Sequence, residues 1–237
     1  MLMTRHELDM LPLPPAMGTR HTIRPFLEDV RITEELIGEI GYLVDEKHEV
    51  KADPFGYPKQ FFSRMTVALP SHTDPDYTLQ IGLRGSYDES IARGIAVGSH
   101  VIVCSNLCFF GESMAKTKQS TNIGDRIMPL FRDAVQRIPE ISEQQDQFFS
   151  RLKNTILPKK DGDSFLVELV RRKVLTGSQL TKALVQWDKP DHEEHQAEGR
   201  TAWLLHNAVT EAMKGNTDLS TWRRSSNLTQ MLQEVYA

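Results

Sequence analysis

Side chains alternate between Phe61 and Arg84, and this alternation restricts the chain more than any other feature. In Phe61–Leu69 (FFSRMTVAL), Phe61, Ser63, Met65, Val67 and Leu69 fall on one side, and Arg64 and Thr66 on the other. In Tyr77–Arg84, Tyr77, Leu79, Ile81 and Leu83 oppose Thr78, Gln80, Gly82 and Arg84. A period of two belongs to a strand with one buried and one polar face. The intervening PSHTDPD is rich in turn formers. The two runs are therefore expected to pair as antiparallel strands, which commits this part of the chain to a sheet.

Elsewhere helical spacing prevails. Residues 1–30 hold Pro12, Pro14, Pro15 and Pro25 and read as an N-terminal arm. Ile32, Leu36, Ile37, Ile40, Leu43 and Val44 predict a helix, with a polar loop over 45–60. Ser86–Glu89 has the form of a capping box, and Tyr87, Ile91 and Ile95 recur at every fourth position. This predicts a short crossover helix over 87–97, ended by Gly98, before a buried strand at His100–Cys104. Leu107–Phe110 continues extended. Helices follow around Ile127–Ile138 (ended or kinked by Pro139), Phe148–Ile156, Phe165–Val170 (capped by Asp163 or Ser164), Leu180–Trp187, Thr201–Met213 and 226–236. The expected class is α+β: a small antiparallel sheet of about three to five strands, then a mostly helical C-terminal half. The expected domains are an arm (1–30), an α+β core (31–158) and a helical region (159–237).

Apolar residues make up 39% and charged residues 25%, as in ordinary globular chains. No apolar run approaches the ~20 residues that cross a bilayer, and no secretory leader is evident, so a cytoplasmic protein is expected. Cys104 and Cys108 read as buried thiols of a reducing compartment. The net charge of −4 disfavours a protein that coats duplex DNA through global positive charge.

Catalytic signatures are weak. His192-Glu193-Glu194-His195 has H-x-x-H rather than the H-E-x-x-H spacing that puts two imidazoles on one helical face, and it lies in a polar linker. Phosphate-cradling glycine loops and the G-x-S-x-G elbow are missing from the sequence. No catalytic residue, metal site or cofactor is therefore assigned. Residues 164–187 have a helix–turn–helix outline, with Arg171, Arg172, Lys173 and Lys182 about the turn, although helices also turn corners this way in plain bundles. A second basic footprint comprises Lys116, Lys118, Arg126, Arg132 and Arg137. Lys118, Arg126, Arg64 and Arg84 are candidates to converge on a groove beside the sheet, and such a groove can follow a single strand.

Two blocks resemble a known family: GLRGSYDESIARGIAVGSHVIVCSNLCFFGE (82–112) and RTAWLLHNAVTEAM (200–213). Arg84, Ser86, Asp88, Ser90, Gly98, Val103, Cys104 and Asn106, then Trp203, Asn207, Ala208, Val209 and Thr210, are similar to the phage- and plasmid-borne family catalogued as domain of unknown function 932. The resemblance spans about residues 60–214 and implies a mobile-element origin without an assigned activity. Arg84, Ser86, Asp88 and Ser90 sit where a strand meets a helix, so the block is either a structural junction or a ligand-facing corner.

The leading expectation is a non-catalytic nucleic-acid handling protein that binds or anneals single-stranded DNA or assists recombination, and that forms a homo-oligomer. Its candidate binding residues are Arg64, Arg84, Ser86, Asp88, Ser90, Asn106, Lys116, Lys118 and Arg126. An antagonist that binds a host defence protein is the alternative. A metal- or nucleotide-dependent enzyme comes third.

Overall fold

A computed structural model describes residues 1–15, 22–72, 74–101, 106–109, 115–117, 123–193, 199–214 and 218–236. Its strands are β1 (Leu2–Met3), β2 (Tyr42–Ala52), β3 (Pro58–Ala68), β4 (Tyr77–Ser86), β5 (Arg93–Val101), β6 (Asn106–Phe109) and β7 (Ala115–Thr117). Its helices are α1 (Arg5–Asp9), α2 (Phe26–Ile37), α3 (Ile123–Gln136), α4 (Ile138–Asn154), α5 (Lys159–Arg171), α6 (Gly177–Asp188), α7 (Ala202–Ala212) and α8 (Asp218–Tyr236). The sheet order is β1-β2-β3-β4-β5-β6, with β7 pairing β5. The class is α+β with a helical C-terminal half, as expected, and the sheet is larger than forecast, with seven strands.

The pair expected from the alternation is β3 and β4, antiparallel, with Ser63 opposite Leu83, Met65 opposite Ile81 and Val67 opposite Leu79. Their shared apolar face is buried. Several local forecasts fail. The helix predicted for Ile32–Val44 begins earlier and ends at Ile37, because Gly38 caps it and the chain then passes tightly beside β3. A Cβ at Gly41 would lie 2.2 Å from the Ala68 carbonyl oxygen, so only glycine permits this approach. Of the loop forecast over 45–60 only Asp53–Tyr57 is a turn; Asp45–Ala52 belongs to β2, with shifts of register at Leu43/Asp45 and Lys51/Ala52, and Pro58–Gln60 opens β3.

The crossover helix over 87–97 is also absent, and β4 turns directly back into β5. Ser86 Oγ accepts from Ile91 N (2.9 Å) and donates to Ile91 O (3.1 Å), which closes the turn instead of capping a helix. Glu89 takes φ +56° inside it. Downstream, α5 starts at Lys159 behind Pro158, ahead of the expected Asp163 or Ser164 cap. α8 is longer than the 226–236 forecast. Pro139 sits in the first turn of α4, where its missing N–H leaves no bond unmade. The forecast strand residues Ile102–Cys104 lie outside the described residues.

The chain divides into two compact units: Met1–Thr73, Leu79–Gly98 and Glu112–Ile141 form one, and Asp74–Thr78, Ser99–Gly111 and Ser142–Ala237 the other. In the first, α2 lies on the apolar sheet face. Phe26 stacks between Phe61 (4.7 Å) and Tyr87 (3.9 Å). The guanidinium of Arg93, fully buried, lies over Phe26 and bonds Asp29 and the Arg24 carbonyl. A buried charge persists only when paired and hydrogen-bonded, and Arg93 ties β5 to α2 on those terms.

In the second unit, every residue from Ala202 to Thr210 is buried, so α7 has no solvent face. Thr201 caps it by accepting from Leu204 N (3.2 Å). Trp203 of α7 meets Phe149 of α4 (4.8 Å) and stacks with His206 (5.3 Å). Lys153 Nζ lies over the Trp203 ring and pairs with Asp74 (3.3 Å) and Asp76. Tyr77 donates to Asp146 and packs edge-on to Phe149. Burial, with the Asp146 hydrogen bond behind it, pushes the Tyr77 phenol pKa up, so its proton stays in place.

Candidate nucleic-acid interface

Strand parity sets which side chains share a sheet face. On β3 and β4 the face opposite the Phe61/Met65 core carries Gln60, Phe62, Arg64 and Thr66, paired with Ser86, Arg84, Gly82 and Gln80. On β2 the same face carries Lys51, Glu49, Lys47 and Asp45. Lys116 joins it: β7 pairs Gly94 with Lys116, while Ala115 and Thr117 are buried opposite Ile95 and Arg93. Arg64, Arg84 and Lys116 therefore do share one face. The sequence reading missed Lys47 and Lys51, because β2 was not recognised as a strand.

Lys47 stands directly opposite Arg64. Like charges so placed, with Cβ atoms roughly 5 Å apart, repel and destabilise the ladder. Neither side chain has an ion-pair partner among the described residues, and nor does Lys51. Lys47 and Lys51 are exposed and Arg64 is half-exposed. Toward β4 this face closes. Gln80 is 2% exposed and donates to Thr66 Oγ1 (2.7 Å), and Phe62 is 3% exposed. Arg84 is partly covered, with its Nε enclosed. A hydrophilic face open along all of β4 is thus not what the chain builds; the open cations lie on β2 and β3.

Ser86, Asp88 and Ser90 meet at the β4–β5 turn. Asp88 accepts from Ser90 N (3.1 Å) and Ser90 Oγ (2.6 Å) and pairs with Lys59 (3.0 Å). Gln60 Nε2 donates to Ser90 Oγ (3.1 Å). Burial disfavours the Asp88 anion, but hydrogen bonds from Ser90 and Lys59 outweigh it and hold its pKa at about 2. These groups bond one another across the turn, which gives the block a structural role. Beside it, Pro14, Pro15, Asp53, Tyr57, Pro58, Lys59, Tyr87 and Asp88 line a cleft of about 300 Å³.

Arg126 does not join this face: it is exposed on α3, which packs on α2 through its buried stripe Ile127, Phe131 and Val135. Lys118 and the side chain of Asn106 lie outside the described residues. At the helix–turn–helix outline, Arg171 and Arg172 pair with Glu168, and Arg172 also with Glu234. Gln179 is drawn inward to Thr176 and Arg224. That corner serves packing: Thr176 forms a capping box with Gln179, and Trp187 is fully buried. His192 is part-buried and His195 lies outside the described residues; among the described residues no cluster of metal-ligating side chains occurs. No helix among them is long and apolar enough to cross a membrane.

One arrangement in the first unit has the outline of a nucleophile relay that sequence reading did not find. Ser63 Oγ lies 2.8 Å from His48 Nδ1, and His48 Nε2 lies 3.4 Å from Glu46 Oε1. Glu46 is held in turn by Arg5, which also reaches Glu34 (2.5 Å). Ser63 and His48 are buried on the core face, so no substrate carbonyl reaches the hydroxyl. The group joins β2, β3 and α1 and has no catalytic access.

Compared with known proteins, this chain matches no family model, no curated protein and no solved structure.

Proposed function

We propose that the protein binds single-stranded nucleic acid through the β2–β3 ribbon and does so without catalysis. The observation that carries this reading is the unpaired Lys47–Arg64 juxtaposition, with Lys51 on the same face. A backbone phosphate between the two cations turns a repulsive pair into two charge-assisted contacts. On this face Lys51, Lys47, Arg64 and Arg84 outnumber Glu49 and Asp45, and such a local excess of cations supports strand binding in a chain of net charge −4. A phage or plasmid setting, implied by the resemblance of the 82–112 and 200–213 blocks, belongs to the same proposal.

Fluorescence anisotropy with a labelled oligodeoxythymidylate of about 16 nucleotides tests it. Three phosphate contacts give a log K against log salt slope of about −2, from roughly −0.7 per phosphate on a single strand. The double reversal Lys47→Glu/Arg64→Glu is expected to weaken binding about tenfold or more at low salt and to flatten that slope. A flat titration of the folded wild type at low salt refutes nucleic-acid binding. Undiminished binding by the double variant refutes this location.

A further inference from the structure

Between β2 and β3 the chain reverses over Asp53–Tyr57. Asp53 Oδ1 accepts from Phe55 N (2.8 Å) and Tyr57 N (2.9 Å), and Asp53 N donates to Tyr57 O (2.8 Å). Gly56 N donates to Asp53 O (3.1 Å), and Gly56 takes φ +88°, a conformation that favours glycine. The turn is thus fixed by its own hydrogen bonds, and it fixes what it displays. Phe55, at the apex, is 87% exposed, the highest value among the large apolar side chains of the described residues. Tyr57, two residues on and 43% exposed, forms a wall of the 300 Å³ cleft against Pro14, Pro15, Pro58 and Tyr87. Lys51 leaves the turn on one strand, and Lys59 on the other pairs with Asp88 at the cleft.

We propose that this turn is the base-stacking platform of the interface, with Phe55 and Tyr57 each presenting a ring to an unstacked nucleobase. The inference rests on the strand-binding reading and adds to it the recognition of bases. An ordered turn holding a phenylalanine almost wholly in water leaves its apolar faces uncovered, and a flat aromatic ligand covers them without rearrangement. Stacking rings combined with a cationic track is how sequence-tolerant single-strand binders hold their ligand. The rings stand at the turn that ends the ribbon: the cleft walled by Tyr57 opens beside Tyr87 and Lys59 of the core-face side, and Lys51, Lys47 and Arg64 lie on the other face, so a strand that rounds the turn meets both. The mixed charge beside the rings, with Asp53 and Asp88 close to Lys59, suits base edges that both donate and accept better than it suits a uniformly anionic lipid surface.

Oligodeoxythymidylates carrying a single 2-aminopurine report stacking through quenched emission. With full-length wild type, quenching is expected on binding. Phe55→Ala and Tyr57→Ala each lower affinity by about five- to hundredfold and relieve quenching, while the salt slope stays unchanged at about −2. Tyr57→Phe keeps the ring and is expected to retain wild-type affinity. Both positions are solvent-exposed, and an unchanged melting temperature checks that the variants fold. Wild-type binding that the double variant Phe55→Ala/Tyr57→Ala reproduces, with emission unchanged, overturns the platform and leaves the cationic track standing. No binding by wild type at low salt removes both. Phe55-dependent sedimentation with phosphatidylserine vesicles, without quenching by the oligonucleotide, assigns the turn to a lipid surface and overturns the proposal.

Discussion

His48 is 1% exposed between Ser63 and Glu46, and burial pulls its pKa below the usual 6.5 despite the opposing pull of Glu46. The native ring is therefore neutral at pH values where an unfolded chain already takes up a proton. Stability from this residue is complete above pH 6.5 and falls as the pH drops below it, since the unfolded state then binds more protons. Glu46 does not compete in this window. Burial opposes its anion, but Arg5 prevails and keeps its pKa below the usual 4.5. Denaturation midpoints measured from pH 7.5 to about 5 should fall more steeply in wild type than in His48→Gln, by at most about 1.4 kcal/mol per pH unit. Parallel profiles would mean that the buried imidazole is not the titrating group.

Among the elements, α5 and α6 show how one small residue sets an approach. A Cβ at Gly162 would lie 2.4 Å from Cζ2 of Trp187, a ring that also meets the Arg200 guanidinium at 5.2 Å. Gly162→Ala gains helix propensity but forces α5 away from α6, so a net loss of about 1–3 kcal/mol is expected by chemical denaturation. Elements with a single dominant period were readable from sequence. β3 and β4 alternate, and α3 and α7 repeat at helical spacing, because each has a simple relation to its core. β2 hid itself: YLVDEKHEVKA exposes charged residues on one face and buries His48 on the other, which leaves no clean apolar stripe. The β4–β5 turn misled because Tyr87, Ile91 and Ile95 mimic helical spacing, while Tyr87 in fact faces Phe26 and Ile95 belongs to a strand. The candidate site was legible to the same extent. Arg64 and Arg84 follow from strands that could be read, whereas Lys116, Lys47, Lys51 and the Phe55 apex depend on strands that could not.

At the scale of the molecule, the two units are interleaved in sequence. The chain passes from one to the other at Thr73/Asp74, Thr78/Leu79, Gly98/Ser99, Gly111/Glu112 and Ile141/Ser142. The helical unit takes β6 against α7 and α8, and Tyr77, Asp74 and Asp76 against α4, from these excursions. A fragment of residues 142–237 lacks them and leaves α7, buried nearly all round in the intact chain, without part of its cover. Circular dichroism of that fragment should show helix without a cooperative melt, whereas the full chain melts cooperatively. A sharp transition in the fragment would show that the excursions are dispensable.

Interleaving also bears on how the chain acquires its shape during synthesis. The first unit needs residues up to Ile141, and its segments emerge from the ribosome with pieces of the second already between them. The second cannot close until α8 has emerged. Contacts between distant segments make folding slow, and the strand edges that wait for them stay open to other chains. Translation speed and chaperone supply should therefore govern the soluble yield of this protein more than its final stability does.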